Sequence, residues 1–206
     1  MEESHTPAND VVEMRSVLDD GTRVLFRPIA GDDKDRLQSG LQRLSPRSRY
    51  MRFFRHLDRL SDEQLRYLTD VDMQDHVAWV AVLPDLDGQP GVGVARWIRM
   101  RHEPEVAEAA VTVIDEFQDK GIGSTLLFLA ARSALERGIR AFRLYVMGDN
   151  RKVMDLLESL NAVPGAWEGG VLQMTIPLPE TMEELERSAP HLILRAAARG
   201  DLDEPG

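Results

Sequence analysis

The sequence predicts one mixed α/β (α+β) domain, and three observations carry that expectation. Helical spacing of apolar residues gives way near Val77 to a series of short apolar strands. An Ala/Val strand then feeds a glycine-opened helix and a further strand, which makes a βαβ unit inside a mixed sheet. Acidity is confined to the two ends. Of 35 acids and 25 bases, residues 1–20 hold six and one, residues 180–206 hold seven and three, and 22 and 21 remain between. The domain is therefore set at 21–178, between a flexible acidic segment over 1–20 and an acidic helical tail over 179–206.

The elements follow in order. Residues 1–20 lack sustained periodicity. Thr22 to Ile29 reads as a first strand that ends at Pro28. Gly31-Asp32-Asp33 offers a turn and a helix cap, and Leu37, Leu41 and Leu44 follow at helical spacing until Ser45-Pro46 stops them. A second helix is expected over about Arg47 to Arg55. A third starts at Ser61, where Ser61 and Gln64 form a capping box. Val77–Leu83, Gly91–Met100 and Glu105–Val113 are strands, the last rich in Ala and Val and expected to be buried. A helix from about Gly121 to Arg137 closes on Gly138. Ala141–Val146 is a strand, Gly148-Asp149-Asn150 opens a helix to about Leu160, and a hairpin turns at Gly169-Gly170.

Composition excludes several classes. Cysteine is absent, which removes disulfides, thiolate metal sites and a cysteine nucleophile. The five histidines are scattered without ligand spacing, so no metal is expected. No basic field points to nucleic acid, and no apolar run approaches the roughly 18 residues that span a membrane. The acidic, polar first residues do not read as a secretory signal, so a cytoplasmic protein is expected.

The most informative stretch is Gln118-Asp119-Lys120-Gly121-Ile122-Gly123-Ser124, between a strand and an amphipathic helix. Glycines here let the backbone approach an anion without a Cβ in the way. The free N–H groups of the helix's first turn then point at that anion, aided by the helix dipole. Several amides hold a pyrophosphate without a ring of lysines, each charge-assisted bond contributing about 1.5–3 kcal/mol. An isolated glycine pair more often serves a tight turn and close packing; the flanking strand and helix favour the anion site. Leu126, Leu127, Ala130, Ala131 and Ala134 form the apolar face of that helix. The Walker pattern fails because Lys120 precedes Gly121, and the dinucleotide fingerprint fails at Leu126.

With this loop, its Ala/Val strand, Asn150-Arg151-Lys152-Val153-Met154 opening the next helix, and Leu160-Asn161-Ala162, the chain resembles the GNAT superfamily of N-acetyltransferases over about residues 22–177. Ser45-Pro46-Arg47-Ser48-Arg49-Tyr50-Met51-Arg52-Phe53-Phe54 looks like the first helical region of the bacterial Pat-type protein lysine acetyltransferases. The resemblance implies a mostly antiparallel central sheet flanked by helices, and acetyl-CoA as cosubstrate. It places the pyrophosphate on the amides of Gly121, Ile122, Gly123 and Ser124, with Gln118 and Lys120 in the same loop. The pantetheine arm would pair with the backbone of Val111 and Val113, around Thr112, as an added strand. Asn150 is read first as a helix cap, Asn being a leading N-cap residue, and second as a contact to the cofactor.

A lysine amine has a pKa near 10.4, so only about one in 2,500 is neutral at pH 7. A general base should accelerate attack on a thioester by roughly 10²–10⁴. Glu108 is the candidate. It lies five residues before Val113, or about 16 Å along a strand, which matches a site at the thiol end of the arm. Pat-type enzymes are similar in placing a catalytic glutamate on this strand; the plain alternative is a strand-edge carboxylate in a salt bridge. Where many GNAT enzymes carry an acid tyrosine, seven residues after the asparagine, this chain has Leu157. A thiol of pKa near 8.5 leaves readily unaided, so direct transfer is the expected route. Arg49, Arg52, Arg55 and Arg59, with Tyr50, Phe53 and Phe54 interleaved, form a cationic stripe. Most such stripes are solvated faces paired with local acids, and the alternative here is a lip for an acidic protein substrate.

The predicted function is therefore acetyl transfer to an amine, with a protein lysine as acceptor. Two alternatives stay open at this point: a small-molecule amine acetyltransferase, and a non-catalytic acyl-CoA sensor. A structural protein whose glycines serve only packing is a third. A homodimer is compatible with each.

Overall fold

The computed structural model describes residues 13–188; the rest of both acidic ends lies outside the described residues. Eight strands form one sheet: β1 (Met14–Val17), β2 (Arg23–Pro28), β3 (His76–Val82), β4 (Gly91–Met100), β5 (Glu103–Val113), β6 (Ala141–Met147), β7 (Val163–Glu168) and β8 (Val171–Pro177). Their spatial order is β1-β2-β3-β4-β5-β6-β8-β7. Every neighbouring pair is antiparallel except β5 and β6. That pair is parallel because the helix between its strands carries the chain back along the sheet. The helices are α1 (Lys34–Arg43), α2 (Pro46–Phe53), α3 (Asp62–Thr69), α4 (Ile122–Leu135) and α5 (Arg151–Ser159), and residues 182–188 are helical too. None of the described helices is long and apolar enough to cross a membrane.

Three details depart from the sequence expectation. Met14–Val17, inside the segment taken as a flexible end, pairs with β2 as a short edge strand. Ser45-Pro46 not only ends α1 but starts α2: Ser45 accepts the Ser48 amide at 3.1 Å, and Pro46 takes a first-turn position where its missing N–H costs nothing. β5 is only partly buried, with Ala107 and Ala109 enclosed and Glu108 exposed between them. The capping box of α3 forms as read, Ser61 and Gln64 exchanging bonds of 3.2 and 2.9 Å.

The sheet has two different faces. One packs on α4, where Phe26, Trp79, Trp97 and Ala109 meet Leu126, Leu129, Ala130 and Ala134. On α4, Leu127 is only half-buried, whereas Ser133 is enclosed and accepts both indole N–H groups, Trp97 at 3.0 Å and Trp79 at 3.4 Å. The opposite face carries Ala78, Val80, Val82 and Val94. It is roofed by α1, α2 and α3, and the Leu68 carbonyl of α3 accepts from Arg96 of β4 at 3.2 Å. This roofed face is the one that carries Glu108.

Candidate active site

The site begins with a break in the sheet. β4 and β5 pair at eight positions, down to Gly93 and Val113. β5 and β6 pair at only three positions: Val106 with Ala141, Ala107 with Phe142, and Glu108 with Arg143. Beyond them the two strands run on without a shared ladder. The Ile114 amide donates to Val92 across β4, at 3.0 Å. Strand alternation then turns the peptide groups of Val113, Val111 and Ala109 the other way, toward β6. On β6, the Gly148 amide donates to Gly170, so the peptide groups of Tyr145 and Met147 face β5. Two unpaired strand edges thus line one wedge. Thr112 differs from its neighbours: its peptide faces β4, and its hydroxyl is buried on the roofed side without a hydrogen-bond partner.

The glycine loop lies at the wide end of this wedge. Gln118 reaches back and donates its side-chain amide to the Val113 carbonyl at 3.1 Å, which ties the loop to β5. Gly121 takes φ +80°, a conformation that L side chains rarely adopt, and turns the chain into α4. Thr125 closes the first turn on the Gly121 carbonyl at 3.0 Å, leaving the preceding amides of Ile122, Gly123 and Ser124 at the free helix start. Behind the loop, Asp115 accepts the Ser45 amide and the hydroxyls of Ser45 and Ser48 within 2.9 Å, which pins α2 to the cradle. These features fit a coenzyme A: donors for a pyrophosphate at one end, and strand edges for an amide-bearing arm between them and Glu108.

Lys120 does not reach free into the loop. Its ammonium pairs with Asp20 at 2.7 Å and lies 5.3 Å from the Phe117 ring centre. The bonds from Lys120 and Thr22 hold the Asp20 carboxyl well below the usual carboxylate range. Asp20 therefore brings a negative charge to the glycine loop and occupies the loop's one lysine. Asp20→Asn should tighten acetyl-CoA about two- to fivefold at low salt, measured by calorimetry, with the gain fading as salt rises.

Glu108 stands at the narrow end of the wedge, exposed, on the roofed face. Arg143 of β6 lies beside it across the parallel pair, yet binds Glu103 instead, with bonds of 2.6 and 2.9 Å. Arg96 sits one diagonal step away, opposite Ala110. Arg52 of α2 comes close enough for the two charges to act on each other, without an ion pair. Burial lowers the Arg52 pKa against the pull of Glu108. Glu108 thus has cations near it but remains open to solvent and to an incoming group. Its small neighbours Ala107, Ala109 and Ala110 leave the space.

Other expectations fare differently. Asn150 caps α5, accepting the Val153 amide at 3.4 Å, at the end of β6. Leu157 is a core residue with 3% exposure, so no acid stands there. The arginine stripe does not exist as a surface. Phe54 takes φ +54° and ends α2, so Arg55 and Arg59 leave its helical register. Arg49 turns to Asp58 at 3.0 Å, and Arg52 points inward. Arg96, Arg143 and Tyr145 escaped the sequence reading; period-two alternation along β4 and β6 was the signal that would have put them on one face with Glu108. Among the described residues no three His, Asp or Glu side chains gather to hold a metal.

Residues 39–161 match the acetyltransferase (GNAT) family. An acetyltransferase of Pseudomonas aeruginosa is 32% identical over 146 residues, covering 71% of this chain and 78% of that protein. The acetyltransferase Pat of Mycolicibacterium smegmatis is 31% identical over 183 residues, covering 84% of this chain and 54% of Pat. The chain thus spans about half the length of that relative. The crystal structure of the GNAT domain of S. lividans PAT superposes with a TM-score of 0.72 at 32% identity, over 81% of this chain and 97% of that domain. A spermidine N-acetyltransferase of Vibrio cholerae, solved with CoA and spermine, shares the fold at a TM-score of 0.58 and 17% identity, over 75% of this chain and 95% of that one. With the sheet order, the wedge and the glycine loop alongside these matches, the chain belongs to the GNAT family, as an acetyl-CoA-dependent N-acetyltransferase of the Pat type.

Proposed function

We propose that this enzyme acetylates protein lysines, with Glu108 as general base and the wedge between β5 and β6 as the seat of acetyl-CoA. The observation that carries the reading is the three-residue contact between those strands, which leaves an open edge from the glycine loop to Glu108. Acetyl-CoA supplies an activated acyl group on a thiol whose pKa near 8.5 lets it leave. The amides of Ile122, Gly123 and Ser124 bind the pyrophosphate, helped by the dipole of α4. The Val111 and Val113 backbones align the arm, so that the thioester arrives beside Ala109 and Glu108. Glu108 takes the proton of the lysine ammonium, directly or through one water, and the neutral amine then attacks the acyl carbon. The exposure of Glu108 suits an acceptor carried on a protein surface, because a lysine side chain reaches it from solvent without a closed pocket.

An acceptor screen tests this. Incubation with acetyl-CoA and either a lysine-bearing protein set or a panel of polyamines and small amines should give acetyl-lysine, seen by mass spectrometry. Transfer to the small amines but to no protein lysine would overturn the acceptor assignment. Acetyl-CoA binding without any transfer would leave a sensor.

A further inference from the structure

Beneath α1, α2 and α3, on the face that carries Glu108, lies a chamber of about 80 Å³. That is room for several waters or an organic group of a few heavy atoms. Its walls are mostly aliphatic or aromatic, with Leu37, Phe53 and Val94 among them. Asp33 and Arg36 line it too, but they are bound to each other at 3.1 Å, and Asp33 also takes two bonds of 2.7 Å from Arg27. Three polar groups remain, Arg52, Arg96 and Thr112; none is bonded to a carboxylate, and the one anion that acts on Arg52, Glu108, does so without an ion pair.

Arg96 is 5% exposed and binds only neutral acceptors: the Leu68 carbonyl at 3.2 Å and His76 Nε2 at 3.0 Å. Burial and the Arg96 charge push the His76 ring down to about 4, so it is neutral and accepts. Burial and the neighbouring Arg52 charge push Arg96 itself down to about 9. Arg52 forms no hydrogen bond or ion pair among the described residues and only stacks on Phe53, 5.1 Å from its ring centre. The Thr112 hydroxyl is enclosed without a partner. Two guanidiniums and a hydroxyl therefore share one apolar space without a bound counter-charge, an arrangement that is costly unless an anion completes it.

We propose that this chamber is a carboxylate site, which takes a short aliphatic stem against Leu37 and Val94 and its carboxylate between Arg52 and Arg96, with the Thr112 hydroxyl donating. The planar guanidinium fork suits a carboxylate, and a stem fits walls that would reject a fully hydrated ion. Two sources present this chemistry. Thr112 stands on the same strand and face as Ala110 and Glu108, so the far end of a dicarboxylic acyl group still on coenzyme A is one. A free short-chain carboxylic acid is the other. The first source rests on the acyl-transfer reading above; the second does not.

Charged and neutral pairs separate them. Succinyl-CoA and butyryl-CoA have acyl chains of equal length, one ending in a carboxylate and the other in a methyl group; butyrate and butyramide differ in the same sense as free ligands. Each is titrated by calorimetry into the wild type, Arg52→Met and Arg96→Met, with acetyl-CoA in parallel as the control for a folded protein and an intact cradle. For the acyl-borne source, succinyl-CoA binds about tenfold or more tighter than butyryl-CoA, and the ratio falls toward one in both variants. Acetyl-CoA stays within about twofold throughout. For the free acid, the thioesters bind alike, whereas butyrate binds, butyramide does not, and both variants lose butyrate. If no carboxylate outbinds its neutral counterpart while acetyl-CoA binds normally, the carboxylate site is overturned and acyl transfer stands. Loss of acetyl-CoA binding by the wild type would instead strike the acyl-transfer reading and the acyl-borne source together.

Discussion

Glu108→Gln lowers acetyl transfer to lysine by roughly 10²–10⁴-fold while acetyl-CoA binds as before. The carboxamide keeps the shape of the side chain but cannot accept the ammonium proton, so the variant must wait for the rare neutral amine. That fraction rises about tenfold per pH unit below the lysine pKa near 10.4. The variant's rate should therefore climb steeply between pH 7 and pH 9, and the wild type should climb less. Glu108 is exposed and makes no ion pair or hydrogen bond among the described residues, so the change should leave the melting temperature nearly unmoved. Steady-state rates at both pH values measure it. A loss smaller than about threefold, with parallel pH profiles, would leave Glu108 a bystander.

The second large effect is on binding. Gly123→Glu should weaken acetyl-CoA by about 10²-fold at an unchanged fold. A Cβ at Gly123 meets only the Val113 Cγ2, at 3.5 Å, which is ordinary contact, and the position is helical. The protein therefore tolerates the side chain; the phosphate does not. One or two charge-assisted bonds at about 1.5–3 kcal/mol each give a loss of that size. Gly121 is the poorer probe, because at φ +80° any side chain strains the backbone and confuses binding with stability. Calorimetry beside a thermal melt reads both quantities. Equal affinity at equal stability would remove the loop from the coenzyme site.

Much of the fold was legible because its signals are local. A strand, Gln-x-x-Gly-x-Gly and an amphipathic helix occur in one short stretch, and the Ser61 capping box lies within four residues. What escaped was set by tertiary packing. The arginine stripe extends α2 to Arg55, but the left-handed Phe54 ends the helix two residues sooner, at Phe53. Arg96 shares its strand with a second arginine, Arg99, and only the roof of α1–α3 buries the one and not the other. The edge strand Met14–Val17 is four residues long, too short for a period of two to stand out. The length of the β5–β6 contact is written in no single segment, since α4 and the twist of the sheet decide where the two strands part.

That short contact has a mechanical side. A strand edge normally lies at the rim of a sheet, where charge, brevity or a covering loop keeps other chains away. Here a pair of edges lies near the middle, so one half of the sheet joins the other through three residue pairs and the shared hydrophobic core. A coenzyme lying in the gap acts as a strut between halves, and its binding free energy adds to the cohesion of the sheet. The ligand-free protein correspondingly offers extended segments of other chains a template in its interior. Purification and storage with coenzyme A follow from the geometry as the way to keep the protein monodisperse.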